Sequence, residues 1–427
     1  MHLERENNMK NNLLIRNSLL KVTLALVIQQ FAFSIIYAQS LSQGEAVQTA
    51  LKNNQLIKSA EYEIDFYRQT KKIGSDIGKL SAMWMHGQYN SLYQDNNLTL
   101  TQSIPFPTTL SNQVKLGKEH IIGAKKNLSA IQNELAFQVK SHYEQLLYQQ
   151  AVKKLLLSQD SLYSDFVRAS SLRYKTGESN LLEKTTAETQ WQEVKNQLRM
   201  NDADIQIASA QLQALLKSEQ AVFASEQLQK RELPIGLDSV SLQSNPDLDV
   251  LKQQVKITEQ AKRVERSRVM PDLTVGYFTQ SLTGRQYIDG VERDFSSSHT
   301  FQGFQLGLAI PLWVGPNLAR AKAASFQEEA TRKKKEHFET MLNGNYQQAL
   351  RELDKNLASL NYYETSALQN AELIITQSRR AYRGGEIGYI EYLQSLKSAI
   401  AIKANYLSSL AQYNQSIIKL SFLLGKI

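Results

Sequence analysis

Between Pro107 and Pro234, and again after Pro316, the chain runs without a proline: residues 108–233 and 317–427 hold none of its seven. Proline removes a backbone donor and clashes with the preceding turn, so intervals this long without one are predicted to be helical. Their apolar residues recur at helical spacing. Leu128, Ile131, Leu135, Val139, Tyr143 and Leu146 are three or four apart, and Leu396, Ala399, Lys403, Tyr406, Leu410, Tyr413, Ile417, Leu420 and Leu424 alternate three and four without a skip, as in a coiled-coil seam.

Each interval has one break, and the break is the same phrase. Tyr174 to Glu183 reads YKTGESNLLE, and 208 residues later Tyr382 to Glu391 reads YRGGEIGYIE. Glycine supplies the backbone freedom a reversal between helices requires, so each interval is predicted to be a helical hairpin with its tip at Gly177 or Gly385. The outgoing arm from Leu110 to Arg173 has 64 residues, roughly 95 Å of helix. Its return arm, Leu181 to Lys217, has only 37, and the segment Gln43 to Ile73, of 31 residues, has the length to cover the remainder. In the second half Tyr389 to Leu424 and Asn245 to Arg268 supply 36 and 24 residues against the 66 from Asn317 to Tyr382. The lengths predict two short helices against one long helix, twice over.

Between the helices the period changes to two. Met83, Met85, Gly87, Tyr89 and Ser91 alternate with Ala82, Trp84, His86, Gln88 and Asn90, and after a turn at residues 94–97 the segment LTLTQSIPF places Leu98, Leu100, Gln102 and Ile104 opposite Thr99, Thr101 and Ser103. LTVGYFTQSL at Leu273 to Leu282 and FQLGLAIPL at Phe304 to Leu312 repeat the pattern. These are strand pairs, each strand about 10 residues, the length that crosses a bilayer at a tilt. Both closing strands run into Ile-Pro, so Pro105, Pro107 and Pro311 are expected at the swivel where strand becomes helix. The order helix, strand pair, long helix, glycine tip, shorter helix occurs twice, as tandem duplication would leave it. The expected division is a leader over 1–38, repeats over 39–218 and 245–427, and a connecting segment over 219–244.

Residues 1–38 carry Lys10, Arg16 and Lys21 ahead of a largely apolar stretch from Val22 to Ile36. That is a secretory signal pattern, with cleavage expected after Ala38 and with Met1 or Met9 as the start; the alternative is a membrane anchor or a buried helix. The mature chain would hold 45 basic and 39 acidic residues, since the leader takes four of the 49 and two of the 41. A net charge of +6 is mild for a nucleic-acid partner, and the one dense run, Arg332 to Lys335, lies among Glu328, Glu329, Glu336 and Glu339 as a solvated helix face. There is no cysteine, hence no disulfide framework and no lipidated cysteine. Histidines 86, 120, 142, 299 and 337 are scattered singly, and no Walker loop, GxSxG elbow or HExxH motif occurs, so neither a catalytic centre nor a metal or cofactor site is expected.

Four strands with one apolar face cannot close into a membrane barrel, and an open edge in lipid is too costly. Several chains must share one barrel. Two would give eight strands with a filled interior, and three would give twelve with a lumen.

The leader, the doubled order of elements, the Ile-Pro strand exits and Tyr-Lys/Arg-x-Gly-Glu with a second glutamate six residues after the glycine resemble the TolC family of outer-membrane efflux proteins, from Ser40 to Ile427. The stretches MWMHGQYNSLYQDNNLTLTQSIPFP and RYKTGESNLLEKTTAE look most like members serving heavy-metal cation exporters of the Czc and Cus type. The resemblance implies a mainly α protein with a small β part: a homotrimer whose four strands per chain share a β-barrel in outer-membrane lipid, with duplicated hairpins forming a periplasmic α-barrel. It also implies a periplasmic adaptor, or membrane fusion, protein and an RND-type inner-membrane pump as partners. Drug efflux or type I secretion, or a periplasmic coiled-coil adaptor, are the alternative functions. In this family the tips close the duct, which marks Tyr174, Gly177, Glu183, Tyr382, Gly385 and Glu391. An acidic residue common in the second repeat is Gln394 here, and an arginine two places after the tip glycine is Ile387. Two readings of Glu183 and Glu391 stand side by side: carboxylates lining the constriction, or N3 residues that cap the first turn of a helix after Asn180 and Gly388.

Overall fold

The structure, a computed structural model, describes residues 39–233 and 242–426. The expected leader, Ala38 and Pro234 lie outside the described residues. In chain order the elements are β1 (Gln39–Leu41), α1 (Gln43–Asn53), α2 (Gln55–Ile73), β2 (Ser81–Gly87), β3 (Asp95–Ile104), α3 (Pro107–Lys175) and α4 (Leu181–Leu216). After them come β4 (Val222–Ala224), a 3-10 turn, α5 (Pro246–Ser267), β5 (Asp272–Ser281), β6 (Gly284–Ile288), β7 (Val291–Phe295) and β8 (Thr300–Ala309). The chain finishes with α6 (Val314–Tyr362), a π turn (Tyr363–Ala367), α7 (Leu368–Gly384) and α8 (Tyr389–Leu423). Among the described residues no helix is long and apolar enough to cross a membrane.

The 69 residues of α3 make a rod of roughly 100 Å. Two expected continuous helices are divided. Residues 43–73 break at Asn54, whose backbone is extended and whose side chain accepts from Leu56 N at 2.8 Å, so α2 begins afresh on its own cap. Residues 317–382 contain the π turn at Tyr363–Ala367, which takes up an additional residue within the helix.

One compact unit comprises residues 50–141, 229–370 and 408–426. It contains an antiparallel sheet in the order β2-β3-β5-β8. Cross-strand partners share a face, so the register assigns every side chain. Leu98, Leu100, Ile104, Leu273, Val275, Tyr277, Phe304, Leu306 and Leu308 fall on one face with Gln102, Thr279 and Gln302, and Thr99, Thr101, Ser103, Thr274, Gln280 and Gln305 on the other with Phe278 and Phe301. Among the described residues little covers the apolar face: Phe304 is 84% and Leu306 85% exposed. Tyr277 and Phe304 meet on it at a 57° tilt, with ring centroids 5.6 Å apart.

Strand β2 is shorter than expected and stops at Gly87 because the Asp95 carboxylate gathers the following loop. It accepts from Asn90 N at 3.2 Å and Thr283 N at 2.8 Å. Strand β8 stops at Ala309, one residue before Ile310-Pro311, and α6 begins only at Val314. In the first half Pro105 follows the last residue of β3 and Pro107 opens α3, a position where the missing N–H has no intrahelical use. The β6-β7 hairpin had no counterpart among the sequence expectations.

Within the same unit α5 lies between two long helices. Lys126 binds Asp249 at 2.6 Å and Gln253 binds Glu119 at 2.6 Å, on the α3 side, while Lys262 pairs with Glu328 of α6. Asn245 caps α5 from a buried position: its Oδ1 accepts from Leu248 N at 3.0 Å and its Nδ2 donates to Leu423 O at 3.0 Å. Asn245→Ala would strand two buried backbone groups and should cost about 1–3 kcal/mol of stability, against about 0.5–1 for Asn54→Ala, whose cap is half-exposed. Denaturant titration of the two variants measures this ranking, and an equal loss from both would contradict it.

The other unit comprises residues 39–49, 142–228 and 371–407. Here β1 and β4 pair in parallel, and Ser209 clamps the pair by donating to Val222 O at 2.7 Å. Tyr143 is fully buried and donates to Leu41 O at 2.8 Å. The seam residues Leu396 and Ala399 are also fully buried.

Candidate functional site

Both glycine breaks are helix ends of one type. At the first, Glu178 N donates to Arg173 O at 2.8 Å and Gly177 N to Tyr174 O at 3.3 Å; at the second, Glu386 N donates to Ala381 O at 2.9 Å and Gly385 N to Tyr382 O at 3.2 Å. These paired bonds form Schellman caps, which need a left-handed residue. Gly177 and Gly385 supply it with φ of 77° and 75°.

Beside these turns the chain packs Phe166 and Leu162 of α3, Ala187 and Val194 of α4, Ile375 and Tyr382 of α7, and Tyr392 and Leu396 of α8 into one apolar core. Tyr382 and Tyr392 stack face to face at 4.6 Å and 3°, and the edge of each meets Phe166 at about 5.5 Å. Into this core Tyr382 carries its hydroxyl, which donates to Glu183 Oε1 at 2.5 Å. Ser179 Oγ donates to Glu183 Oε2 at 2.5 Å, and the Arg173 guanidinium stands 3.6 Å from the same carboxylate and 5.4 Å from the Tyr382 ring centre. Glu183 is 4% and Tyr382 3% exposed. Burial, followed by the adjoining carboxylate, pushes the Tyr382 phenol well above its ordinary pKa, so the phenol stays a donor. Burial also raises the neighbouring Tyr163 to about 12.

The two repeats use equivalent residues differently. Glu183 does not project from the end of its hairpin as a constriction carboxylate would; within this chain it turns inward. Asn180 caps α4 by accepting from Glu183 N at 2.9 Å, which leaves the glutamate side chain to bridge to α7. Glu391 remains exposed at the start of α8 and closes back on Gly388 N at 3.3 Å, a capping contact. Tyr174, the counterpart of Tyr382, is 41% exposed and carries only the Lys184 ammonium, 5.6 Å from its ring centre, as an aromatic contact. Gln394 is exposed. Arg173, Ser179, Phe166 and Tyr392 complete the site and escaped the sequence reading, although Arg173 precedes the first phrase, Ser179 lies within it and Tyr392 follows the second.

The fold thus combines a sheet whose β3, β5 and β8 have ten residues each with two helical hairpins whose ends are joined by a buried Tyr–Glu contact. Residues 237–426 match the family model Outer membrane efflux protein. The chain is 23% identical over 309 residues to the Cobalt-zinc-cadmium resistance protein CzcC of Cupriavidus metallidurans, covering 71% of this chain and 70% of that protein. To the Probable outer membrane lipoprotein SilC of Salmonella typhimurium it is 23% identical over 329 residues, covering 73% and 68%. The solved structure of CusC superimposes with a TM-score of 0.73 at 16% identity, over 92% of this chain and 95% of that one. Residues 237–426 thus carry an outer membrane efflux protein domain, and the fold as a whole is that of the solved outer-membrane channels.

Proposed function

We propose that the chain is the outer-membrane exit duct of a tripartite efflux system and that its cargo is heavy-metal cations. Three copies close a twelve-stranded barrel in outer-membrane lipid, and the helices continue it into the periplasm as a water-filled tube. The observation that carries the reading is the β2-β3-β5-β8 sheet. Among the described residues its apolar face is left largely exposed, and neither β2 nor β8 pairs on its outer side. Both demands are met together when copies join edge to edge in lipid. The name of the Cupriavidus relative supports cobalt, zinc or cadmium as the kind of cargo.

In this reading an inner-membrane RND-type pump loads the duct through a periplasmic adaptor, and the duct has no catalytic role. Residues 1–38 are an export leader, 39–218 and 245–427 are tandem repeats, and 219–244 joins them. Pro105, Pro107 and Pro311 release each strand into its helix. Tyr382, Glu183, Arg173 and Ser179 hold the hairpin ends together as the latch of the periplasmic entrance, and Gly177 and Gly385 shape the turns that bring these side chains into register. Glu391, with Gln394 one turn further along α8, is left to face the lumen.

Native mass measurement of protein extracted from outer membranes in detergent should give three chains, and the same preparation should conduct in planar bilayers. A soluble, non-conducting monomer would overturn the reading.

A further inference from the structure

The hairpin β6-β7 stands at the end of the sheet away from the helices, between Ser281, the last residue of β5, and Thr300, the first of β8. Its strands form a two-stranded sheet of their own, closed by Asp289 and Gly290, whose φ angles of 54° and 78° fit a type I′ turn. The root of this ribbon is fastened to the loop that leads into β3. Thr283 N and Ser281 Oγ donate to the buried Asp95 carboxylate at 2.8 and 3.1 Å, and Thr283 Oγ1 donates to Gln94 O at 3.2 Å. Gly284 leaves room for the Tyr93 ring, which would stand 2.8 Å from an added Cβ. A ribbon tied this closely at its base is a positioned element.

Its direction follows from the register. Phe301 shares a face of the sheet with its partner Gln280, the face that also carries Thr101. Phe295, the last residue of β7, meets the Phe301 ring at 57°, with centroids 5.6 Å apart. The ribbon therefore closes down on that side of the sheet. Gly284 and Phe295 are partners and share a face of the ribbon, so Tyr93 and Phe295 hold the same face, which also carries Gln286 and Ile288. Along β6 those two are half-buried, whereas Arg285 and Tyr287 on the other face are exposed. We propose that the β6-β7 ribbon is a lid over the outer mouth of the barrel, held down by the Phe295–Phe301 contact, and that three copies together restrict entry of large solutes from outside. The inference rests on the reading of the sheet as a barrel wall with Thr101 and Gln280 toward the lumen. One aromatic pair is a weak clasp, so the lid slows exchange with the medium without sealing the duct.

The chain has no cysteine, so a single introduced thiol reports alone. Intact cells are treated with a maleimide carried on a polyethylene glycol too large to reach the periplasm by other routes. Tyr287→Cys, on the exposed face of the ribbon, should label fast, and Thr101→Cys, inside the barrel, slowly. Adding Phe295→Ala should speed labelling of Thr101→Cys about two- to tenfold, the worth of one aromatic pair. Replacing residues 285–294 by an Asn-Gly turn should speed it further, and Tyr287→Ala should leave it unchanged. Trimer extracted in parental yield shows that faster labelling reports an open lid and not a damaged barrel. Equal labelling of Thr101→Cys with the ribbon present, loosened or removed overturns the lid and leaves the duct standing. Absence of labelling at Tyr287→Cys in intact cells overturns the outer-membrane reading itself, and the lid with it.

Discussion

Tyr382→Phe should open the hairpin ends. The substitution keeps the ring between Tyr392 and Phe166 and deletes only the hydroxyl that donates to Glu183. A charge-assisted hydrogen bond to a buried carboxylate is worth about 1.5–3 kcal/mol, so the closed-to-open ratio should fall about 10- to 150-fold per chain. Single-channel recording in planar bilayers reads this directly as time spent in a high-conductance state. Glu183→Gln should fall between the variant and the parent, because an amide still accepts from the phenol while the charge is gone. Tyr174→Phe serves as the control, since its exposed ring makes no comparable contact. Equal conductance of the two phenylalanine variants would rule the latch out.

The same contact has a predictable pH limit. The Tyr382 phenol is held above its ordinary value of 10.0 in the folded chain. A group whose folded pKa is raised contributes stability that is fully present below the unfolded value and is lost as pH climbs through the folded one. Closed-state conductance should therefore be level across neutral pH and rise only on the alkaline side of about 10.

The second large effect concerns the sheet. Leu100 and Thr101 are neighbours on β3 and face opposite ways, Leu100 beside Ala82 and Tyr277 and Thr101 beside Gly276. If the leucine face meets lipid, Leu100→Arg places a guanidinium in hydrocarbon at about 2–4 kcal/mol per chain near the midplane. Assembled, outer-membrane-inserted protein should then fall steeply, whereas Thr101→Arg should insert normally and shift the ion selectivity of the open channel toward anions. The readout is the amount of detergent-extracted trimer per cell. Equal yields for the two arginine variants would contradict the assignment of faces.

Much of this architecture follows from local sequence rules. The proline-free intervals and their three-four spacing mark α3, α4 and α8 to within a few residues, because helix formation at that length is governed by near neighbours along the chain. Gly177 and Gly385 are legible for the same reason, since a Schellman cap is specified within half a dozen residues. The alternation in β3, β5 and β8 likewise reveals which side chains share a face. The division of the long second helix by a π turn was not legible: nothing in the run from Tyr362 to Leu368 carries the usual breaker residues.

The pairing of Tyr382 with Glu183 depended on the tertiary structure. In sequence, Tyr174 and Tyr382 are equivalent, as are Glu183 and Glu391, and local chemistry gives the same capping role to both glutamates. The fold brings α4 of one repeat against α7 of the other, so only one tyrosine and only one glutamate meet, each from a different repeat. That pairing joins positions 199 residues apart. A sequence repeat can announce that two ends are alike, but which copy supplies the donor and which the acceptor is fixed by helix packing, a long-range property that no local pattern encodes.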